Sequence, residues 1–236
     1  MSNVKIEVPF GNANIILETG KLAKQANGSV VVQMGGTVVL VTACGTKEPR
    51  EGIDFFPLTV EYQEKTYAAG RIPGGFFKRE GKPSESEILI SRLIDRPIRP
   101  LFPSGYRNEV QVVAIVLSSD GENDPDVLAV TGASAALSIS PIPFNGPIGC
   151  CRVGRVEGEL VLNPTYAQRQ VSDLDLVVVA SKDKVIMIEG EAKGLADNLV
   201  LEGLKFAHKH IQTVIDLQKD FILKAATPKM DYENKT

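Results

Sequence analysis

Between residues 71 and 107 the chain carries eight basic side chains, Arg71, Lys78, Arg79, Lys82, Arg92, Arg96, Arg99 and Arg107, against four acids, Glu80, Glu85, Glu87 and Asp95. That stretch is net +4 in a chain whose formal charge is -3, so the remainder carries -7. Guanidinium forks repeated in this way suit the oxygens of phosphate groups. Arg92 and Arg96 are spaced i, i+4, which sets them on one helix face while Ile90, Leu93 and Ile94 point away; Arg99 follows Pro97, and spacing does not fix its direction. The competing reading is a solvated helix face on which these arginines pair with Glu85, Asp95 and other acids.

The loop just before this helix adds a second ingredient. Gly74-Gly75-Phe76-Phe77-Lys78-Arg79 places two adjacent aromatic rings in a glycine-hinged basic segment, where one of two consecutive side chains tends to face solvent. Single-stranded nucleic acid is held by this combination, bases stacking on rings while lysine and arginine follow the backbone. An oligomer contact that buries both phenylalanines is the alternative, and the two are compatible where loops of several subunits meet.

Other groups with chemical potential are weaker. His208 and His210 are two apart on a helical pattern, so they point to different faces and read as solvated side chains rather than a metal pair. Asp124 and Asp126 flank Pro125 at a helix start, where N-capping accounts for them; Asp173 and Asp175 complete a loose acidic set. There is no GxxxxGK[ST] motif, and with both histidines in one helix no Ser/His/Asp arrangement is legible.

The elements that must position these residues are an α/β set. Short β-branched runs punctuated by glycine predict strands at 4–8, 14–17, 29–32, 37–42 and 56–62, the last with Pro57 at its start. Residues 64–83 lose periodicity and read as a long loop. Ser84 and Glu87 form a capping-box pattern that opens a helix stopped by Pro97. A strand at 110–117 and a buried Ala-rich helix at 125–138 follow, then strands at 148–156, 159–162, 174–179 and 185–189 and a long helix at 195–223. The tail from Thr227 has no core pattern and reads as a linker or a truncated start of a further domain.

Size and composition set the outer bounds. A chain of 236 residues, 43% hydrophobic, can build a sizeable core, and its -3 charge leaves nucleic-acid binding to a local patch. Cys44, Cys150 and Cys151 form no CxxC pair and no even disulfide set, no apolar leader opens the chain, and no apolar run approaches the roughly 20 residues of a bilayer span. These features predict a cytoplasmic protein without a membrane segment.

Four stretches carry a resemblance: Phe55-Phe56-Pro57-Leu58-Thr59-Val60, Tyr67-Ala68-Ala69-Gly70-Arg71-Ile72-Pro73-Gly74, Ser91-Arg92-Leu93-Ile94-Asp95-Arg96-Pro97-Ile98-Arg99-Pro100-Leu101-Phe102-Pro103 and Pro143-Phe144-Asn145-Gly146-Pro147-Ile148-Gly149. To about residue 225 the chain resembles the first RNase PH-like domain of the bacterial polynucleotide phosphorylase family. The resemblance implies a ribosomal-S5-domain-2-like fold of mixed sheets with packed helices. It divides the chain into a first subdomain at 1–145, a second with the long helix at 146–225, and a linker or truncated helical-domain start at 226–236. It further implies 3′→5′ degradation of RNA by inorganic phosphate, releasing nucleoside diphosphates, a homotrimer and a place in an RNA-degradation assembly. In that family Phe76, Phe77, Lys78 and Arg79 match an RNA-gripping loop, and Arg92, Arg96 and Arg99 belong to a motif presented toward RNA.

Departures from the family's catalytic copy matter as much. Its serine-rich phosphate loop corresponds here to Asn123-Asp124-Pro125-Asp126, whose carboxylates would repel phosphate. Its Asp-x-x-x-Asp-x-Asp-x-Lys pattern is kept at Asp173 and Asp175, but Arg169 stands in for the leading aspartate and Val177 for the lysine. The expectation is a non-catalytic, RNA-guiding domain with no catalytic and no metal residues of its own, Mg2+ being bound outside this chain. A freestanding RNA-binding or assembly module without turnover is the alternative.

Overall fold

Alternating β-branched and polar residues fold as six strands within the first 118 positions in the computed structural model, which describes residues 3–234. Strands β1 (Val4–Phe10), β2 (Ala13–Thr19), β3 (Gly28–Met34), β4 (Thr37–Gly45), β5 (Leu58–Glu64) and β6 (Val110–Ser118) form a six-stranded sheet in the order β1-β2-β3-β4-β6-β5. Neighbours run antiparallel except β5, which lies parallel to β6 at the sheet's edge. Ile15 and Leu17 on β2 and Val39 and Val41 on β4 point to the buried face, as the period-2 geometry of strands requires. A second, antiparallel sheet takes β7 (Gly149–Val156), β8 (Glu159–Leu162), β9 (Leu174–Ala180) and β10 (Val185–Ala192) in the order β10-β9-β7-β8.

Helix α1 (Glu85–Ile98) packs against the edge strand β5, and α2 (Pro125–Ile139) lies between the sheets against β3, β4 and β7. Every residue of α2 is buried, which its run of alanine, serine and glycine permits by letting backbones approach. At Gly132 a Cβ would come within 2.6 Å of Val41 Cγ2 and 2.8 Å of Val32 Cγ2. Burying Leu128, Leu137 and Ile139 contributes about 1.5–3 kcal/mol each. Short α3 (Tyr166–Val171) and long α4 (Asp197–Ala225) complete the chain, α4 covering β7, β9 and β1, so that one apolar core runs through both sheets. Among the described residues no helix is long and apolar enough to cross a membrane.

Several boundaries differ from the sequence reading. Pro57 stays outside β5, its carbonyl accepting from the Val110 amide at 3.0 Å. Pro97 does not stop α1: the helix runs to Ile98 because the Arg99 amide still reaches the Asp95 carbonyl, and a 3₁₀ turn at Arg99–Leu101 follows. Helix α3 was not anticipated, although Thr165 and Gln168 form a capping box at its start. The loop at 64–83 also contains a 3₁₀ turn at Thr66–Ala69.

The first residues of the tail are tied down: they strap across the end of α2, where the Thr227 amide and hydroxyl both donate to the Ile139 carbonyl at 3.0 Å, and the Met230 amide donates to Pro141 at 2.7 Å. The Lys229 ammonium donates to the carbonyls of Leu137, Ser138, Ser140 and Ile142 at 2.8–3.1 Å. Those of Leu137 and Ser138 are carbonyls that the last turn of a helix leaves without intrahelical partners, and those of Ser140 and Ile142 belong to the chain just beyond it. The Tyr232 ring packs 5.3 Å from Tyr106. Residues 235 and 236 of the expected linker lie outside the described residues.

Candidate nucleic-acid interface

The aromatic loop is pinned at its neck and open at its tip. Glu80 accepts from the amide and hydroxyl of Thr66 at 2.9 and 3.2 Å, and the Arg71 amide donates to the Thr66 carbonyl at 3.2 Å. Between these anchors, Phe76 is 93% and Phe77 75% exposed. The rings meet edge to face with centroids 5.5 Å apart, and the Arg79 guanidinium lies 5.3 Å from the Phe77 centroid. Lys78 adopts a left-handed backbone at φ 49°, which turns the chain between the rings and Arg79. Two apolar rings held in water beside cations form a platform for base stacking or for a protein contact.

Helix α1 is fixed by its own start and by the strand beneath it. Ser84 Oγ accepts from the Glu87 amide and Glu87 accepts back from the Ser84 amide at 2.7 Å, completing the capping box. Glu87 also accepts from the Glu64 amide at 2.9 Å; although partial burial works against it, the Ser84 and Glu64 amides hold its carboxyl below the usual range. Ser91 Oγ accepts from the Tyr62 amide at 3.0 Å. Polar side chains of α1 thus cover outward backbone groups of the edge strand β5, a common protection against edge pairing.

The three predicted arginines of this helix end in different places. Arg92 is exposed, lines a cleft of about 490 Å³ between α1 and β5, and has no ion-pair partner among the described residues. Arg96, also exposed, reaches to the second sheet, where Nη1 lies 3.0 Å from Glu189 Oε2 on β10. Arg99 holds Asp95 through Nε and Nη2 at 3.1 and 2.7 Å, and donates to the Phe56 and Leu58 carbonyls at 3.3 and 3.1 Å. The i, i+4 pair therefore shares a helix but its heads diverge, and Arg99 serves as a clamp between α1 and β5.

A second arginine cluster sits at the start of α2. Arg152 on β7, its side chain 9% exposed, contacts Asp126 at 2.5 Å, Asp175 at 2.6 Å and Asp124 at 3.2 Å. Arg169 on α3 pairs with Asp124 and, at 3.1 Å, with Asp175, and the Tyr166 hydroxyl donates to Asp124 at 3.3 Å. Arg155 pairs with Asp173 at 2.6 Å. The N-capping assigned to Asp124 is thus corrected, since it makes no cap bond and turns to guanidiniums, whereas Asp126 accepts from the first-turn Val127 amide through Oδ1 at 2.5 Å and from Arg152 through Oδ2. Burial first, and then the Asp126 carboxylate, push Asp124 up to about 6 against the pull of Arg152 and Arg169. Arg152 was missed by the sequence reading, though a charge inside the apolar run Cys150-Cys151-Arg152-Val153 signals a buried ion pair.

Magnesium finds no fitting donor set here. Oxygens of Asp124, Asp126 and Asp175 already accept from guanidinium groups, and among the described residues no three His, Cys, Asp or Glu side chains are grouped to hold a metal. The two histidines are half-buried rather than solvated, His210 Nδ1 lying 2.8 Å from the Phe206 carbonyl.

Comparison with known proteins adds the lineage. The chain matches the 3′ exoribonuclease family, domain 1, over residues 13–143 and domain 2 of that family over 146–210. It is 56% identical over 231 residues to a polyribonucleotide nucleotidyltransferase of Geobacter sulfurreducens, covering 98% of this chain and 33% of that protein. A protein of the same name from Nitratidesulfovibrio vulgaris is 60% identical over 215 residues, 91% of this chain and 28% of that one. The chain thus spans about a third of the length of these relatives. Rice Rrp46 superposes with a TM-score of 0.68 at 16% identity, covering 94% of both chains, which shows the RNase PH-like fold alone. With both halves of the chain accounted for in order, it belongs to the 3′ exoribonuclease family.

Proposed function

We propose that this chain is the RNA-guiding, first PH-like domain of a polynucleotide phosphorylase, holding single-stranded RNA while phosphorolysis takes place on residues outside it. The whole protein would degrade RNA 3′→5′ with inorganic phosphate and Mg2+, as a homotrimer in the cytoplasm and within an RNA-degradation assembly. The observation that carries the reading is the pinned loop with Phe76 and Phe77 in solvent and Arg79 over a ring, on the same chain as the unpaired Arg92. Phe76, Phe77, Lys78, Arg79, Arg92 and Arg96 are the proposed contacts, and Arg99 holds the helix that presents the last two. The non-catalytic part rests on the acids at the start of α2, whose oxygens are engaged by arginine.

Incubating the chain with oligo(A), Mg2+ and phosphate tests both parts. The expected result is retained oligomer, with retention falling steeply as salt rises, and no ADP. ADP release at enzymatic rates would overturn the non-catalytic assignment, and absence of retention would overturn RNA holding in favour of an assembly contact.

A further inference from the structure

The two outward arginines of α1 are not equivalent, and the difference lies in one carboxylate. Glu189 is on β10, the edge strand of the second sheet, opposite Val177. Its Oε2 lies 3.0 Å from Arg96 Nη1, and both side chains are 54% exposed. It lines a cleft of about 320 Å³ whose other charged walls are Asp126, Arg152, Asp175 and Glu191. Even with Arg96 on Glu189 and Arg169 on Asp175, the four carboxylates of that cleft outnumber the guanidiniums that meet them, so a phosphate has no favourable place inside it. Arg96 consequently stands at a border, its guanidinium drawn toward the acidic cleft, whereas Arg92 faces the other cleft with no such partner.

Resting on the RNA-holding reading, we propose that Glu189 is a displaceable counter-ion for Arg96: it occupies the guanidinium until an RNA phosphate takes its place, and so lowers affinity at that one contact. An ion pair this exposed is held only weakly, because water screens it and both side chains stay mobile. A phosphate can therefore displace it without unfolding anything, and the pair sets how tightly the strand is held rather than whether it binds.

The test is a double-mutant cycle on oligo(A) binding, followed by fluorescence anisotropy across a salt series, with Glu189→Gln, Arg96→Ala and the double variant. Arg96→Ala is expected to weaken binding and to reduce the log-log salt slope by about 0.7, one phosphate contact of a single strand. Glu189→Gln is expected to tighten binding by about two- to fivefold, the upper range of an exposed pair, and to have no effect once Arg96 is alanine. Weaker binding in Glu189→Gln would overturn the proposal by making Glu189 a support for Arg96. Tightening that persists without Arg96 would overturn it by showing a general charge effect. Unchanged binding in Arg96→Ala removes Arg96 from the RNA contacts, a failure of the underlying reading that the Glu189 arm alone cannot produce. Thermal melts of all three variants confirm that each stays folded.

Discussion

The arginines of α1 and those at the start of α2 share a side chain and differ in their surroundings. Arg152 is walled in, and three aspartates meet it at 2.5–3.2 Å. Arg92 and Arg96 stand in solvent with, between them, a single exposed carboxylate. A guanidinium removed from water must be matched by carboxylates built into the fold, and once matched its donors are not available to a ligand. One left in water keeps them, at the cost of contributing little to stability. The comparison predicts that the two sets respond oppositely, the inner one in stability and the outer one in RNA binding.

The sharpest way to break that contrast is Arg152→Met. It leaves Asp126 and Asp175 without their main partner in a buried site, and the expected loss is about 3–5 kcal/mol, read as a lower urea midpoint. A loss under about 1 kcal/mol would mean that the cluster behaves like a surface ion pair. On the outer side, Phe77→Ala with Arg79→Ala removes a ring and the cation above it. Base stacking is worth about 1–3 kcal/mol, so oligo(A) binding should weaken by roughly 5- to 150-fold on that scale while the melting temperature stays put. Unchanged affinity assigns the loop to a protein contact.

Much of this contrast was legible in the sequence and part was not. The aromatic pair and the i, i+4 arginines are local patterns, and a loop without apolar periodicity has little to bury, so their exposure followed. The partners of those arginines were not local: Glu189 is 93 residues from Arg96, brought there by sheet topology. The same holds for Asp124, Asp126 and Arg152, where a proline-flanked acidic pair at a helix start looked like capping until β7 and α3 supplied guanidiniums. The contacts of the tail were not legible for another reason. Its polar sequence has no core periodicity, and Lys229 is held by main-chain carbonyls, which leave no mark on side-chain patterning. The elements themselves were read mostly to within two residues, apart from α3, whose single turn and a half carries too few residues for a periodic signal.

Asp124 sharpens the comparison through pH. Its folded carboxyl lies near 6, above the unfolded 3.8, so between those values the folded chain binds more protons than the unfolded one. Its contribution is therefore full below about pH 4 and is lost as pH rises through 6. The expected outcome is that wild type loses stability relative to Asp124→Asn over pH 4–6 and runs parallel above it, measured by urea unfolding at stepped pH. A difference that grows in favour of wild type over the same interval would mean that the arginines, rather than burial and Asp126, control the carboxyl.

Arg99 lies between the two sets and gives the smallest expected effect. It is partly exposed like Arg92, yet its fork grips Asp95 and the Phe56 and Leu58 carbonyls like an inner arginine. Arg99→Lys keeps the positive charge and loses the fork, since a lysine offers one point of contact where the guanidinium spans strand and helix. If Arg99 acts as a clamp, stability falls by about 1 kcal/mol while oligo(A) affinity changes by less than about twofold. If it acts as a phosphate contact, the order reverses: lysine preserves the melting temperature but loses the bidentate geometry, and affinity falls with an unchanged salt slope because the charge count is the same. The salt series separates the two roles even where both effects are small, because only a contact to RNA couples the geometry of this side chain to binding.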